Sequence, residues 1–240
     1  MPPVIQAQSL GKNWLTRAGG FRLIVDPFAI HPGDFIAATG PSGCGKSTLL
    51  DLLGLVLRPD FVADFNFTSR DGKIHNLNQL SSRASARLRR SEIAYVLQTG
   101  GLLPFLSVRA NIALPAQLNR QQDVKRRVEA IARKLGIVQQ IGKKPAKLSV
   151  GERQRAAIAR ALVHEPALIL ADEPTSALDP PRARELVQSF ADLCRERKVA
   201  VVMVTHQVEL AEAYASKMFR FKVESHGVHQ PTVVRCQTQN

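Results

Sequence analysis

The sequence predicts an α/β fold: a mostly parallel sheet flanked by helices, with an N-terminal antiparallel β-subdomain and an inserted α-helical subdomain. Three observations predict it. An apolar run, Phe35-Ile36-Ala37-Ala38, leads into Gly40-Pro41-Ser42-Gly43-Cys44-Gly45-Lys46-Ser47-Thr48, and Leu49-Leu50 with Leu52-Leu53 continues as the apolar face of a helix. Strand, glycine-rich loop and helix in that order is the setting of a phosphate-binding loop. Ile93–Leu97, Ala167–Ala171 and Val199–Val204 are short apolar runs without alternation, as strands covered on both faces require. From about 107 to 141, Val108, Ile112, Val128, Ile131, Leu135 and Ile137 recur in helix-like patterns, which places a helical lobe between sheet segments.

In chain order, residues 4–10 and 21–30 read as short strands of an N-terminal sheet, with turns at Gly19-Gly20 and at His31-Pro32-Gly33-Asp34. Residues 35–39 form the strand that feeds the loop, and 46–57 its helix, broken by Arg58-Pro59-Asp60. Ala63 to Thr68 alternates apolar and polar, and Asp71-Gly72 supplies a hairpin turn. Residues 82–90 read as a basic helix. Gln98 ends the strand 93–97, and Thr99-Gly100-Gly101 is a flexible joint. Ser149 and Glu152 form a capping box for a helix reaching about His164. Asp179-Pro180 opens another helix, with Leu186, Phe190 and Leu193 facing inward, and a further helix covers 207–215. Residues 218–240 read as an edge hairpin and a frayed tail, with His226 and His229 in solvent. The whole is one domain, 1–240: a core of 4–98 and 166–223, a helical lobe of about 99–165 and a tail of 224–240.

Hydrophobic residues are 45% and charged residues 22% of the 240, which supports a packed core and argues against disorder. No apolar run reaches the ~18 residues that span a bilayer. The N-terminus lacks the basic-then-apolar order of a secretory signal. Three scattered cysteines without metal spacing point to reduced thiols in a cytosolic compartment. The net charge is +13, but the basic residues are dispersed and aromatics are only 5%, so no stacking platform for single strands is evident. That composition favours a membrane surface or plain solubility over nucleic acid.

The chemistry concentrates in two stretches. Gly40, Gly43 and Gly45 permit turns that a β-carbon forbids, so loop amides and the helix N-terminus converge on one anion. Lys46 would reach the β- and γ-phosphates and Ser47 would place its hydroxyl on Mg²⁺. Leu168-Ile169-Leu170-Ala171-Asp172-Glu173 is an apolar strand ending in two carboxylates. Asp172 can accept from metal-bound water and from Ser47; Glu173 can polarise an attacking water. Gln98 either reaches the metal or the water, or is an ordinary turn glutamine. His206 ends another buried strand; a lone histidine there is ordinarily structural or solvated, and contact with a γ-phosphate rests mostly on the family resemblance.

With these residues in order, the chain resembles the nucleotide-binding subunit of ATP-binding-cassette (ABC) transporters, a P-loop NTPase family, over residues 4 to about 223. Gly40–Thr48 resembles the Walker A motif, Gln98 the Q-loop, Leu148-Ser149-Val150-Gly151-Glu152 the signature, Leu168–Glu173 Walker B with the catalytic glutamate, Ser176-Ala177-Leu178-Asp179 the D-loop, and His206 the switch histidine. The resemblance implies an ATPase that uses ATP and Mg²⁺, with Ser47, Gln98 and Asp172 on the metal side and Trp14 stacked on adenine. It implies a homodimer in which Ser149, Val150, Gly151 and Glu152 of one copy close the site of the other, with Ser176 and Asp179 at the seam. It also implies an integral membrane subunit as partner, at the inner face of the cell membrane. Leu102, Leu103, Phe105 and Leu106 fall where the family receives that subunit's coupling helix. Ala86–Arg90, Ile93–Gln98 and Leu102-Leu103-Pro104 are most similar to the lipoprotein-release, macrolide-export and cell-division group, in which dimer closure moves an extracytoplasmic domain. Val150 departs from the usual signature glycine, Glu152 from glutamine, and residues 60–72 lack the usual hairpin. The alternative is a soluble ABC-type ATPase acting on nucleic acid or the ribosome; one set of motifs in 240 residues disfavours it.

Overall fold

The computed structural model describes residues 1–16, 19–98, 100–225 and 231–239. The first strands are β1 (Ile5–Ala7), β2 (Leu10–Thr16), β3 (Gly19–Val25), β4 (Phe28–Ile30) and β5 (Phe35–Thr39). Helix α1 (Lys46–Leu53) follows the glycine-rich loop, then β6 (Phe61–Val62), β7 (Phe65–Thr68) and β8 (Ile74–Asn76). Next come α2 (Ser82–Glu92), β9 (Ile93–Val96), α3 (Val108–Leu118), α4 (Val124–Lys134) and α5 (Val150–Leu162). The chain closes with β10 (Leu168–Asp172), α6 (Pro180–Arg197), β11 (Ala200–Val204), α7 (Val208–Glu212), β12 (Lys217–Ser225) and β13 (Pro231–Gln239).

Two sheets form: β4-β1-β7-β8, and a nine-stranded sheet in the order β6-β2-β3-β13-β12-β5-β11-β10-β9. Strands β5, β11, β10 and β9 run parallel, and β5, β10 and β11 are buried along almost their whole length, as both-sided cover demands. One face of this region packs with α1 and the four-stranded sheet through Leu49, Leu52, Phe65 and Phe67. The other face packs on α5 and α6 through Ile158, Leu162, Val187 and Phe190. Helices α3 and α4 have a core of their own, Val108, Ile112, Ala116 and Val128, which α5 completes with Ala156 and Ala159. Helix α5 is therefore a wall shared by the helical lobe and the sheet.

Three expectations are corrected. The loop's helix ends at Leu53 instead of 57: Gly54 is its C-cap, where a β-carbon would lie 1.6 Å from the Tyr95 hydroxyl oxygen, and the left-handed Leu55 that follows breaks the right-handed helix. Tyr95 Oη donates to Leu50 O at 3.0 Å, so the helix end is pinned against β9, and Leu55 follows with φ +57°. Gly19-Gly20 opens β3 opposite Leu15 and Thr16, and the connection falls on residues 17–18, outside the described residues. The largest correction is at the C-terminus. The hairpin of β12 and β13 lies in the middle of the large sheet: β12 pairs with β5 and β13 pairs with β3 over Pro231–Cys236. Phe219, Phe221, Val234 and Cys236 are buried there, so the segment expected as a tail is the bridge between the N-terminal strands and the parallel core. His226 and His229 lie outside the described residues.

Candidate active site

The C-terminal ends of four parallel strands, in the order β5, β11, β10, β9, meet on one edge of the sheet, the edge where open α/β sheets bind ligands. The glycine-rich loop leaves β5 there. Gly43 and Gly45 have φ of +74° and +93°, a region closed to most side chains, and Gly45 occupies the N-cap of α1. A β-carbon at Gly45 would also meet the Phe21 ring at 2.7 Å. These turns aim the first amides of α1, which have no acceptor within the helix, at the mouth of the loop. Lys46 is buried, and its ammonium donates to Gly40 O at 2.9 Å and Pro41 O at 2.8 Å. Cys44 turns the other way, into the core, and burial pushes its thiol pKa up against the opposing charge of Lys46. Pro41, Ser42 and Thr48 complete the loop; Pro41 and Ser42 are exposed at its tip.

Ser47 Oγ donates to Asp172 Oδ2 at 3.4 Å, joining the start of α1 to the end of β10. Burial and then the neighbouring Glu173 carboxylate raise the Asp172 pKa, with Ser47 and Lys46 opposing. Glu173 follows β10 with φ +45°, a strained conformation for a side-chain-bearing residue. Its amide donates to Val204 O at 3.0 Å, and Ser176 Oγ caps its carbonyl at 2.9 Å. The Glu173 carboxylate meets His206 Nε2 at 2.9 Å. The parallel register pairs Ala171 with Val96, so Gln98, two residues beyond Val96, stands level with Glu173. Thus Lys46, Ser47, Asp172, Glu173, His206 and the backbone of Gln98 collect at one sheet edge.

The remaining expected site residues lie at the starts of α5 and α6 and on β2. Ser149, Val150, Gly151 and Glu152 begin α5 on the helical lobe. Ser149 Oγ accepts from the Glu152 amide at 3.2 Å, and the Glu152 carboxylate accepts from the Ser149 amide at 2.7 Å, so the glutamate completes a capping box. Among the described residues no hydrogen bond ties this turn to the glycine-rich loop of the same chain. Asp179 caps α6 by accepting from the Arg182 amide at 3.1 Å. Trp14, on β2, pairs with Phe21, the residue whose ring covers Gly45, and Lys12 Nζ lies 4.8 Å from its ring centre. Trp14 is therefore one side chain removed from the loop.

The residues fit a metal–phosphate group. Two carboxylates, Asp172 and Glu173, are neighbours at the end of β10; burial first and the Glu173 charge second raise the Asp172 pKa, and a cation at this place would offset both. Hydroxyl and carboxylate oxygens are the donors that Mg²⁺ prefers.

Sequence reasoning overlooked two side chains. Asn111 is fully buried: its Oδ1 accepts from the Leu103 amide at 2.7 Å, and its Nδ2 donates to the carbonyls of Leu103, Leu106 and Ser107 at 3.0–3.3 Å. Arg160 donates to Gly101 O at 2.6 Å and Gly100 O at 3.3 Å. A buried-face asparagine in a helical pattern was the available signal for the first; nothing in the pattern marked the second.

Comparison with known proteins agrees with this arrangement. Residues 26–176 match the family described as ABC transporter. The chain is 37% identical over 213 residues to the lipoprotein-releasing system ATP-binding protein LolD 2 of Caulobacter vibrioides, covering 87% of this chain and 90% of that protein. It is 36% identical to the macrolide export ATP-binding/permease protein MacB of Marinobacter nauticus, covering 85% of this chain and 31% of that longer protein. Among solved structures, the dimeric post-hydrolysis cassette MJ0796 bound to ADP and Pi superposes with a TM-score of 0.78 at 27% identity, covering 95% of this chain and 96% of that one. The chain belongs to the ABC transporter family. It is the ATP-binding, ATP-hydrolysing subunit of a transporter, and no helix among its described residues is long and apolar enough to cross a membrane.

Proposed function

We propose that this cassette hydrolyses ATP at the sheet edge described above, with Glu173 orienting the attacking water. The observation that carries the reading is the 2.9 Å contact between Glu173 and His206 beside a loop whose Ser47 already touches Asp172. Lys46 supplies positive charge to the phosphates, and the loop amides bind their oxygens. Mg²⁺, held by Ser47 and Asp172 with Gln98 alongside, would neutralise phosphate charge as it develops. His206 keeps the Glu173 carboxylate aimed and contacts the γ-phosphate side. Trp14 provides a flat surface for adenine. Ser149 and Val150 are exposed at the start of α5, Gly151 is buried behind them, and the turn makes no hydrogen bond to its own loop among the described residues, an arrangement suited to closing the site of a second copy, with Ser176 and Asp179 at the seam. Two copies then bind two ATP molecules between them; the solved relatives described as dimeric cassettes support this.

The same reading extends to a membrane partner. Beside the Gln98 joint, Tyr95, Leu103, Leu114, Pro115 and Leu118 line a groove of about 350 Å³ with Arg89, Arg90 and Arg160 at its margins, and Phe105 nearby is 68% exposed. An amphipathic helix from an integral membrane subunit fits such a groove, and would hold the chain at the inner face of the membrane. Similarity to relatives named for lipoprotein release and macrolide export supports a transporter of that group, in which closure would drive movement of an extracytoplasmic domain.

Glu173→Gln tests the chemistry. It should lower turnover at least a hundredfold, keep ATP affinity, and accumulate an ATP-bound dimer on gel filtration. Undiminished turnover in that variant would overturn the assignment.

A further inference from the structure

A second cleft opens at the edge of the sheet opposite the candidate active site. It lies where α4, the turn from α5 into β10 and the end of α6 meet, and it holds about 240 Å³. The five residues of β10, roughly 17 Å of strand, separate it from Asp172. Its floor is apolar: Leu162, Val163, Leu193 and Val199 line it and are buried. Its rim is cationic. Arg70 from the turn between β7 and β8, Arg127 from α4 and Arg197 from the last turn of α6 line it against one carboxylate, Glu165. Two of the three guanidiniums are held. Arg127 Nη1 meets Glu165 Oε1 at 3.2 Å, and Arg70 Nη1 donates to Glu165 O at 2.9 Å. The left-handed backbone of Glu165, φ +57°, lets one residue anchor both, through its carboxylate and its carbonyl. Arg197 makes no ion pair or side-chain hydrogen bond among the described residues, and the carboxylates beside it on α6, Glu196 and Asp192, are already paired with Lys134 and Arg195. The cleft thus joins an apolar floor to a rim whose positive charge is only partly balanced.

We propose that this cleft binds a small amphipathic monocarboxylate, with its apolar chain on the floor and its head group at Arg197 and Arg127. The site is separate from the ATP chemistry and draws nothing from it. A guanidinium offers parallel N–H donors that match the two oxygens of a carboxylate. At a rim backed by apolar side chains that pairing is less screened than on an open surface. The ligand's size follows from the space: at about 30 Å³ for each water-sized group, the cleft takes about eight. A neutral chain would leave Arg197 uncompensated, and a bare inorganic anion would leave the floor wet. A polyphosphate would bring several charges against the Glu165 carboxylate.

The test is titration calorimetry of the full chain with sodium octanoate, with thermal melting alongside. Octanoate should bind saturably, one per chain, with Kd below about 1 mM, and acetate and 1-octanol should bind at least about tenfold more weakly. At about ten times Kd, octanoate should raise the melting temperature by about 2–4 °C. Saturating ATP should leave the octanoate affinity unchanged within about twofold, because the two sites lie at opposite ends of the strands. Arg197→Met should weaken octanoate binding at least about fivefold without changing the melting temperature of the free protein, and Arg197→Lys should recover part of the loss. Ala130→Trp, at the exposed rim on α4, should fill the cleft and abolish binding; should that variant not fold, Arg197→Met decides. The proposal is overturned by any of four results: no saturable binding, acetate or octanol binding as tightly as octanoate, displacement of octanoate by ATP, or undiminished affinity in a folded variant.

Discussion

Glu173 and Cys44 show how little of a residue's role lies in its type. Glu173 sits at φ +45° because three contacts over-determine it: its amide on Val204 O, its carbonyl under Ser176 Oγ, and its carboxylate on His206. Strain of this kind, typically about 1–3 kcal/mol, persists only where neighbours hold it. Cys44 lies within the glycine-rich loop, yet its sulfur points inward, 3.1 Å from where a β-carbon on Gly40 would stand, and burial raises its pKa. Cys194 and Cys236 are buried as well, and burial pushes the Cys194 thiol up to about 12. Thiolate is the reactive form, so all three cysteines should resist alkylation by iodoacetamide at pH 7.5 in the native chain. They should react once urea unfolds it. Rapid labelling of Cys44 in the folded protein would show that the thiol faces the nucleotide side instead.

At the scale of elements, α5 and the turn after it join the helical lobe to the sheet. The helix is capped by Ser149 and Glu152, joins two cores, and ends beside His164. His164 is 5% exposed, neither ring nitrogen makes a well-formed side-chain hydrogen bond, and burial lowers its pKa to about 4, the nearby Ile93 backbone opposing. The sign follows from linkage: the unfolded chain, near 6.5, binds the proton more readily than the folded one. His164 therefore contributes no penalty above pH 6.5, and stability drains away as pH falls toward 4, by about 3 kcal/mol in all. Urea unfolding at pH 7.0 and pH 4.5 should show a loss that is smaller in His164→Leu by most of that amount. Equal losses in the two proteins would mean that His164 is solvated or paired in the folded state.

For the whole molecule, the decisive element is the last one. Strand β13 has a neighbour on each side, β12 and β3, and buries Val234 and Cys236. Deleting residues 231–240 would open two sheet edges and expose apolar side chains worth about 1.5–3 kcal/mol each, against a total stability of about 5–15 kcal/mol. The truncated chain should lose its cooperative thermal transition or aggregate on expression. A truncated protein that melts like the full chain would show that the N-terminal strands and the parallel core hold together without the bridge. The same topology explains the site, since only the order β5-β11-β10-β9 sets the loop beside Asp172 and Glu173.

The local pieces were legible because local chemistry decides them. The glycine pattern before Lys46, the paired acids after an apolar strand, the Ser149–Glu152 cap and the Asp179-Pro180 helix start are each complete within a few residues. Alternation against continuous apolar runs separated the hairpin at 65–76 from the buried parallel strands. What lay beyond reach depends on partners far along the chain. The end of α1 is set by Tyr95, the hold on the Gly100 and Gly101 carbonyls by Arg160 some sixty residues away, the inward turn of Cys44 by the packing around Phe221, and the place of β13 by strands at the opposite terminus. Sequence spacing specifies which backbone turns are possible. Which side chain then fills the space over a turn, and which strand pairs with which, is settled only when distant segments compete to bury the same surface.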